Sequence, residues 1–327
     1  TMERAQEQKL GPGDRLLLKA GSVWRMSETF RLKPKGFEGN PVAITRYGEG
    51  EAPELRTSID GLSLGWRNES NGIWSAECGL RDVGNIVFPE SGKGVSACGF
   101  KKPLRGGLEN EGDFWHDADD GRVYLKCAGD PRKIHPGGIE ICRRIHVMDI
   151  EGCRNAVIDG VTFAYTGSHG IRGRNVRGIV IRNCRFGWIG GSYLSPPSKE
   201  KPMGERYGNG IEIWSLGDSK DIRIENCLFH DIYDTAMTNQ GDGKGSIDGM
   251  HVVSNRICRC EQGYEFWFRH PEFKAGTIEL RGNVFESTGF GWSHAQRPNK
   301  NATHILAYSV DCQKGRIILD GNRFGRT

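Results

Sequence analysis

Two short segments of the chain share the pattern Glu-x-Trp. They read GIEIW (residues 210–214) and GYEFW (263–267). In a β-strand alternate side chains point to opposite faces, so Glu212 would share a face with Trp214, and Glu265 with Trp267. Carboxyl groups held on one surface can donate and accept protons. The pattern therefore predicts an acid/base pair flanked by aromatic side chains.

A repeat in the second half of the chain predicts how these segments are positioned. Six segments share an aliphatic residue, a polar residue, Asn or Gly, and then an aliphatic or aromatic residue. They are VIDGVTF (157–163), VIRNCRF (180–186), RIENCLF (223–229), VVSNRIC (252–258), ELRGNVF (279–285) and ILDGNRF (318–324). A repeat with variable insertions favours a solenoid over separate domains.

A second short strand follows in each unit and opens with Gly or Ala. These strands are GIRGR (170–174), GIEIW (210–214), AMTNQ (236–240), GYEFW (263–267) and GFGWS (289–293). Single strands of this length are unstable, but strands stacked in parallel, about 4.8 Å per layer, would bury a continuous core. We therefore predict an all-β fold, a single-chain parallel β-helix.

The stacking places Glu212 and Glu265 two layers apart, about 9–10 Å at the backbone. Carboxyl groups separated by about 6.5–9.5 Å suit an inverting glycosidase, in which a water lies between acid and base. Trp214 and Trp267 would offer indole faces to a sugar ring. Alternatively, loops cover this face and bury both indoles. A register slip of one residue would turn both glutamates inward, which is costly for an unpaired carboxylate.

Asparagine and cysteine recur near the turns of the repeat. Asparagine tolerates the left-handed conformation of a sharp corner and can form hydrogen-bonded ladders, so we expect a ladder. Its members would be Asn183, Asn226, Asn255, Asn283 and Asn322. Cys184 and Cys227 fill one slot of successive units, which favours core packing over a disulfide.

Insertions into the repeat supply further candidates. The longest, residues 187–208, contains Trp188, Arg206 and Tyr207, which we expect to bind sugar together with Gln240. A second insertion, residues 230–243, contains Asp234, a third carboxylate that could substitute in the acid/base pair.

The sequence also allows a second reaction, the elimination catalysed by a polysaccharide lyase. A lyase acting on a uronate needs a cation that neutralises the sugar carboxylate and a base that removes a proton. His169 and Arg172 on the first of the short strands, with Arg206 and Tyr207, could supply both.

The first half of the chain differs from the second. GPGDRLLLKAGSVW (11–24) and GNPVAITRYGEG (39–50) each read as a strand between turns, and GDFWHDADDGRVYLKC (112–127) reads as a β-hairpin. We predict first β-helix coils in residues 1–59, an inserted small β subdomain in residues 60–138, and the main coils in residues 139–327.

The two N-terminal segments and the hairpin resemble motifs of a known group of β-helix proteins. The two N-terminal segments resemble the first coils of right-handed parallel β-helix proteins of the pectate-lyase-like superfamily. The hairpin is similar to a GEW-x-x-D … G-x-LYY hairpin of β-helix glycoside hydrolases. The resemblance implies a right-handed coil, carbohydrate chemistry, and a secreted or periplasmic location. The superfamily also contains lyases, epimerases, esterases and phage tailspikes, so fold does not select the reaction.

Composition sets broad limits on the 327 residues. The net charge of +4 is small, and no basic run carries interleaved aromatics, so nucleic acid is not an expected partner. No apolar run is long enough to span a bilayer, and residues 1–8 do not read as a secretory signal. No cofactor is required. Ca²⁺ is allowed but not indicated, because Asp242 and Asp248 lack EF-hand spacing.

Three functions follow from these observations. The leading hypothesis is a glycoside hydrolase acting on a polysaccharide or oligosaccharide. The second is a polysaccharide lyase acting on a uronate polymer by β-elimination. The third is a glycan-binding β-helix module without catalysis.

Overall fold

The computed structural model describes residues 1–310 and 315–326, and Cys312 lies outside them. Three long parallel sheets dominate this part of the chain. The predicted all-β parallel β-helix is therefore confirmed, and with it the resemblance at the level of fold. Among the described residues, no helix combines the length and apolarity needed to cross a membrane.

Each coil contributes one strand to each parallel sheet, except that the last coil contributes described strands to the first two sheets only. The first sheet contains Arg15–Lys19, Val42–Tyr47, Arg154–Asp159, Arg177–Arg182, Asp218–Glu225, Ser246–Val253, Thr277–Arg281 and Arg316–Asp320, with Lys274–Ala275 beside Ser246–Val253. The second contains Val23–Arg25, Glu54–Arg56, Thr162–Thr166, Arg185–Ile189, Leu228–Ile232, Arg256–Cys258, Val284–Glu286 and Arg323–Phe324. The third contains Phe30–Arg31, Met148–Asp149, Ile171–Arg174, Ile211–Ser215, Thr235–Gly241, Gln262–Phe268 and Thr303–Val310.

Like residues stack along the core. Phe163, Phe186 and Phe229 occupy one position of successive coils, with ring centroids 5.1 and 4.7 Å apart. Phe285 and Phe324 continue the column near the other end, 5.2 Å apart. The repeat thus has a physical cause, since each ring packs on its counterpart in the next layer.

Cysteine and asparagine occupy one column rather than two. It lies two residues before the stacked aromatic and aliphatic side chains of the second sheet and contains Cys184, Cys227, Asn255, Asn283 and Asn322. Only its asparagines form the amide ladder, Asn255 to Asn283 at 3.0 Å and Asn283 to Asn322 at 2.9 Å. The prediction was therefore wrong for Asn183 and Asn226, which lie one position earlier in left-handed conformations. Core packing of Cys184 and Cys227 is confirmed, because both thiols are buried and free.

Residues 58–143 leave the coil between its second-sheet and third-sheet strands, and the coils before and after this region stack directly. We call these residues the inserted region. Its sheets are antiparallel apart from one short parallel pair. One contains Phe100–Lys101, Asp113–Asp117, Arg122–Lys126, Ile73–Glu77 and Arg67–Ser70, and the other Ser58–Asp60, Glu140–Arg143 and Val83–Val87. The predicted hairpin is confirmed, and the domain boundaries at residues 60 and 138 stay a prediction.

Helices are short. The α-helices are Met2–Gln6 and Pro131–Ile134, and the 3-10 helices are Gly61–Ser63, Pro89–Ser91, Gly94–Ala97, Arg105–Gly107 and His294–Gln296. Met2 is buried at the end of the core.

The chain passes from the second to the third sheet at one edge of the solenoid, which we call the corner. A residue with positive φ lies there in five successive layers, namely Tyr165, Trp188, Asp231, Arg259 and Ser287. Three long excursions leave the coils at this edge: the inserted region, an arm formed by Ser192–Ser195 and Glu205–Tyr207, and the loop of residues 287–302. They surround the beginning of the third sheet.

Candidate active site

The third sheet carries its polar side chains in the predicted register. Ile211 and Ile213 point into the core, and the intervening residues point outward. One outer column contains, in successive layers, Arg172, Glu212, Thr238 and Glu265. The next contains Arg174, Trp214, Gln240 and Trp267. We call this surface the outer face.

Close stacking explains why these strands open with small residues. A Cβ atom at Gly210 would lie 2.4 Å from the carbonyl oxygen of Ala236, and one at Gly170 would lie 2.6 Å from that of Gly210. Larger residues would push the layers apart, so the glycines keep Glu212 in register with its neighbours.

The prediction that residues 289–293 form the fifth of these strands is wrong. These residues lie in the corner loop, and the strand that pairs with Gln262–Phe268 is Thr303–Val310. Leu306 stands opposite Glu265, so the column of polar groups ends there. The error arose because a long loop displaced the true strand while its own sequence imitated the pattern.

Glu212 is buried, with 5% of its surface exposed. His169 Nε2 lies 3.2 Å and Asn209 Nδ2 3.4 Å from the same oxygen, Oε2. The Asn209 backbone N–H donates to His169 Nδ1 (3.0 Å), so the other ring nitrogen carries the proton and donates to Glu212.

Burial sets the protonation of both groups. It lowers the pKa of His169 to about 3, assisted by Arg172, so the ring is neutral. It raises the pKa of Glu212 to about 7, although Arg172 and Arg174 oppose the shift. Because both hydrogen bonds reach Oε2, Oε1 is left to carry the proton.

Glu265 repeats this arrangement two layers away. Thr238 Oγ1 (2.8 Å) and Gln240 Nε2 (3.2 Å) both donate to its Oε2. Burial raises the pKa of Glu265 to about 7, and the nearby charge of Asp234 adds to the shift. Glu265 is half-buried and therefore more accessible than Glu212.

Asp234 lies at the corner, and its charge acts on Glu265. Arg297 Nη1 donates to its Oδ1 at 2.6 Å, and 8% of the arginine side chain is exposed against 23% of the aspartate. The two side chains form a charge-assisted hydrogen bond that is largely shielded from solvent. The charge of Asp234 thus acts on a carboxyl group, Glu265, whose pKa burial raises to about 7.

Three charged or titratable groups near Asp234 were not predicted from the sequence, namely Glu261, His294 and Arg297. Glu261 is fully buried, and His294 Nδ1 lies 3.3 Å from each of its carboxylate oxygens. Burial raises the pKa of Glu261, and the charges of Arg297 and His294 oppose the shift. Arg297 and His294 both belong to the corner loop, part of which was wrongly predicted to be a strand. A hint was the dense run of polar residues HAQR at 294–297.

Gln296 joins the three excursions that surround the site. Its Oε1 accepts from the Lys101 backbone N–H (3.1 Å) and from Arg206 Nη1 (2.9 Å), and its Nε2 donates to the Gly99 carbonyl (2.9 Å). Beside it, a cavity of about 370 Å³ opens between the arm and the corner loop, with Tyr233 and Arg297 in its wall. The cavity therefore lies between two of the excursions that surround the beginning of the third sheet.

Trp214 and Trp267 meet on the outer face although they lie two layers apart. Their rings are in edge-to-face contact, with centroids 5.6 Å apart, and the Arg269 guanidinium lies 5.0 Å from the Trp267 ring. Both indoles are half-buried. The Trp214 Nε1–H is buried without a partner among the described residues.

Arg206 lines the cavity between the arm and the corner loop, but its guanidinium is occupied by protein groups. Its Nε donates to the Gly191 carbonyl (2.6 Å), Nη2 to the Gly84 carbonyl (3.1 Å) and Nη1 to Gln296. The arginine holds the arm in place, so a positioning role suits it better than sugar binding.

Tyr207 and Trp188 are placed differently. The Tyr207 hydroxyl accepts from Ser168 Oγ (2.9 Å), and its ring contacts His169 edge-on at 5.2 Å, close to Glu212. Trp188 belongs to the second sheet, is only 7% exposed, and packs in a cluster with Trp292. The structure does not bring Trp188 to the outer face.

The end of the outer face beyond Glu212 is cationic. Arg172 donates through Nη2 to Asp149, but its Nε and that of Arg174 are buried without a partner among the described residues. His146 stacks on His169 with centroids 4.9 Å apart. Unpaired donors of this kind suit an oxygen-rich ligand.

No protein-family model and no curated protein matches the chain. Among solved structures, XylC in complex with xylose is 11% identical with a TM-score of 0.49, over 98% of this chain and 66% of XylC. A glycoside hydrolase is 13% identical with a TM-score of 0.46, over 99% and 92% of the two chains. The pectate lyase Pel9A is 10% identical with a TM-score of 0.32, over 98% and 73%. These likenesses concern the fold, and function rests on the side chains described above.

Proposed function

We propose that the protein is a carbohydrate-active enzyme, a glycoside hydrolase. One observation carries the proposal: Glu265, whose pKa is raised to about 7, feels the charge of Asp234, which forms an ion pair with Arg297. Hydrolysis of a glycosidic bond needs a carboxylic acid and a carboxylate that differ in protonation.

In the proposed reaction Glu265 transfers the proton on its free oxygen to the glycosidic oxygen. The bond from that oxygen to the anomeric carbon breaks, and the departing sugar leaves as an alcohol. Asp234 removes a proton from a water whose oxygen bonds to the anomeric carbon, so the configuration inverts. Both protons are accounted for, and no cofactor takes part.

Glu212 has a secondary role in this scheme. Its raised pKa resembles that of Glu265, so the two glutamates do not separate into an acid and a base. A protonated Glu212 can donate a hydrogen bond to a sugar hydroxyl. The pairing of Glu212 with Glu265 that the sequence favours remains the alternative assignment, and variants of the three carboxyl groups distinguish the two.

The substrate is a polysaccharide or oligosaccharide in this proposal. The half-buried indoles of Trp214 and Trp267 would pack against sugar rings, and Gln240 lies between them in the same column. The cavity between the arm and the corner loop, with Arg297 in its wall, would hold the sugars on the other side of the cleaved bond. A secreted or periplasmic location fits such a substrate and is part of the proposal.

A polysaccharide lyase is the second candidate, and the cationic end of the outer face favours it. Arg172 and Arg174 could neutralise a uronate carboxylate, and the neutral His169 lies beside them. However, both nitrogens of His169 are already engaged, by Asn209 and Glu212, which leaves the ring no free position to accept a proton.

A substrate panel tests the proposal. Neutral and uronate-containing polysaccharides would be incubated with the protein, and reducing ends and ultraviolet absorbance would both be followed. We expect reducing ends without absorbance. Absorbance from an unsaturated uronate would establish the lyase instead. Binding on a glycan array with no product from any polysaccharide would leave a non-catalytic binding module.

A further inference from the structure

Three side chains with metal-binding atoms converge in the inserted region, which carries none of the proposed catalytic groups. They are Glu111, Cys127 and His135, and one ligand atom from each lies within 4.8 Å of the other two. Glu111 precedes strand Asp113–Asp117, Cys127 directly follows Arg122–Lys126, and His135 ends the helix Pro131–Ile134. The cluster therefore joins three separate segments.

The environment of each side chain suits a ligand. Cys127 is a buried free thiol. The ring of His135 stacks on Phe88 with centroids 3.9 Å apart, which fixes its plane. The Cys127 thiol lies within hydrogen-bonding reach of the Glu111 carboxylate and of the backbone of Ala128 and Gly129, and Glu111 is exposed.

A metal binds cysteine as the thiolate and histidine as the neutral imidazole. Binding at this cluster would therefore release the thiol proton of Cys127.

We propose that Glu111, Cys127 and His135 form a Zn²⁺ site, with a water as the fourth ligand. A thiolate, an imidazole and a carboxylate match the tetrahedral coordination and intermediate softness of zinc, whereas Ca²⁺ and Mg²⁺ prefer oxygen ligands alone. The ion would fasten the hairpin of the inserted region to its helix. The proposal is independent of the proposed hydrolase activity.

Cobalt spectroscopy tests the site. Metal-free protein without an affinity tag would be titrated with Co²⁺ under a phosphine reductant. We expect a thiolate-to-cobalt charge-transfer band that disappears when Zn²⁺ is added, because Zn²⁺ binds such sites more tightly. Cys127→Ser should lose the band. Cys78→Ser, which changes a half-buried thiol of the same region, should keep it.

Thermal unfolding provides a second readout. Zn²⁺ should raise the Tm of the wild type and of Cys78→Ser but not that of Cys127→Ser. If Cys127→Ser does not fold, Glu111→Gln and His135→Asn replace it, each with binding weakened about tenfold or more. A wild type that shows neither band nor Tm shift, or ligand variants that bind like the wild type, would overturn the proposal.

Discussion

A glutamate lies at each end of the outer face, and the two glutamates have different charged neighbours. Glu212 and Glu265 occupy one column, and each accepts two hydrogen bonds through Oε2. Glu212 has a neutral histidine and two arginines as neighbours, whereas Glu265 is exposed to the negative charge of Asp234. The repeated strands therefore supply equivalent carboxyl groups, and residues at the corner determine the charge around each of them.

Glu265→Gln should have the largest effect. It keeps the shape and the hydrogen bonds of the side chain but has no proton to transfer, so kcat should fall about 10³-fold on a substrate identified in the panel. An aryl glycoside with an acidic leaving group should recover most of the loss. Glu279→Gln, which changes a half-buried carboxylate of the first sheet that pairs with Arg281, is the control. Full activity in Glu265→Gln would remove Glu265 from the mechanism.

Asp234→Ala should lower kcat about 10²-fold, because water loses its base. Added azide needs no deprotonation, so it should restore turnover and yield a glycosyl azide in the variant alone. Asp320→Ala, at an exposed ion pair with Arg281, controls for the loss of a surface carboxylate. If Glu212→Ala is rescued by azide and Asp234→Ala is not, the base is Glu212 and the pairing of the two glutamates is correct.

Glu212→Gln should have a moderate effect, about tenfold in kcat, because only a hydrogen bond to the sugar changes. His169→Gln should act through Glu212, since the histidine donates to it. The double variant should therefore lose little more than Glu212→Gln, as expected for residues that act together. If Glu212→Gln lowered kcat as much as Glu265→Gln does, the two glutamates would not differ in their roles.

Gln296→Ala should affect stability more than chemistry. It leaves the Lys101 N–H and the Gly99 carbonyl without their partner, which costs about 1–3 kcal/mol of unfolding free energy. We expect KM to rise several-fold as the arm loosens, with little change in kcat. Denaturant unfolding and steady-state kinetics measure the two effects, and Gln8→Ala at an exposed helix end is the control.

The sequence predicted the strands better than the corner. The alternation in 210–214 and 263–267, with glycines that permit close stacking, was sufficient to predict the register of Glu212 and Glu265. Asn183 and Asn226 misled the alignment, because the stacked aromatic and aliphatic residues, not the asparagines, define the repeat.

The charged groups around Asp234 were harder to find. Arg297, His294 and Glu261 reach the site through loops of irregular length, and a loop of this kind has no periodicity that a repeat could align. Trp188 was favoured because it lies in the longest insertion, yet it precedes the arm and packs beneath the corner.

The pH dependence of kcat/KM tests the central claim most directly. Glu265 must be protonated to act as the acid, and its proton is lost as the pH rises through about 7. The rate should therefore fall about tenfold per pH unit above neutrality in the wild type and in Glu212→Gln, and this limb should be absent from Glu265→Gln. A wild-type rate that stays constant well above neutral pH, or a limb that survives in Glu265→Gln, would contradict the assignment.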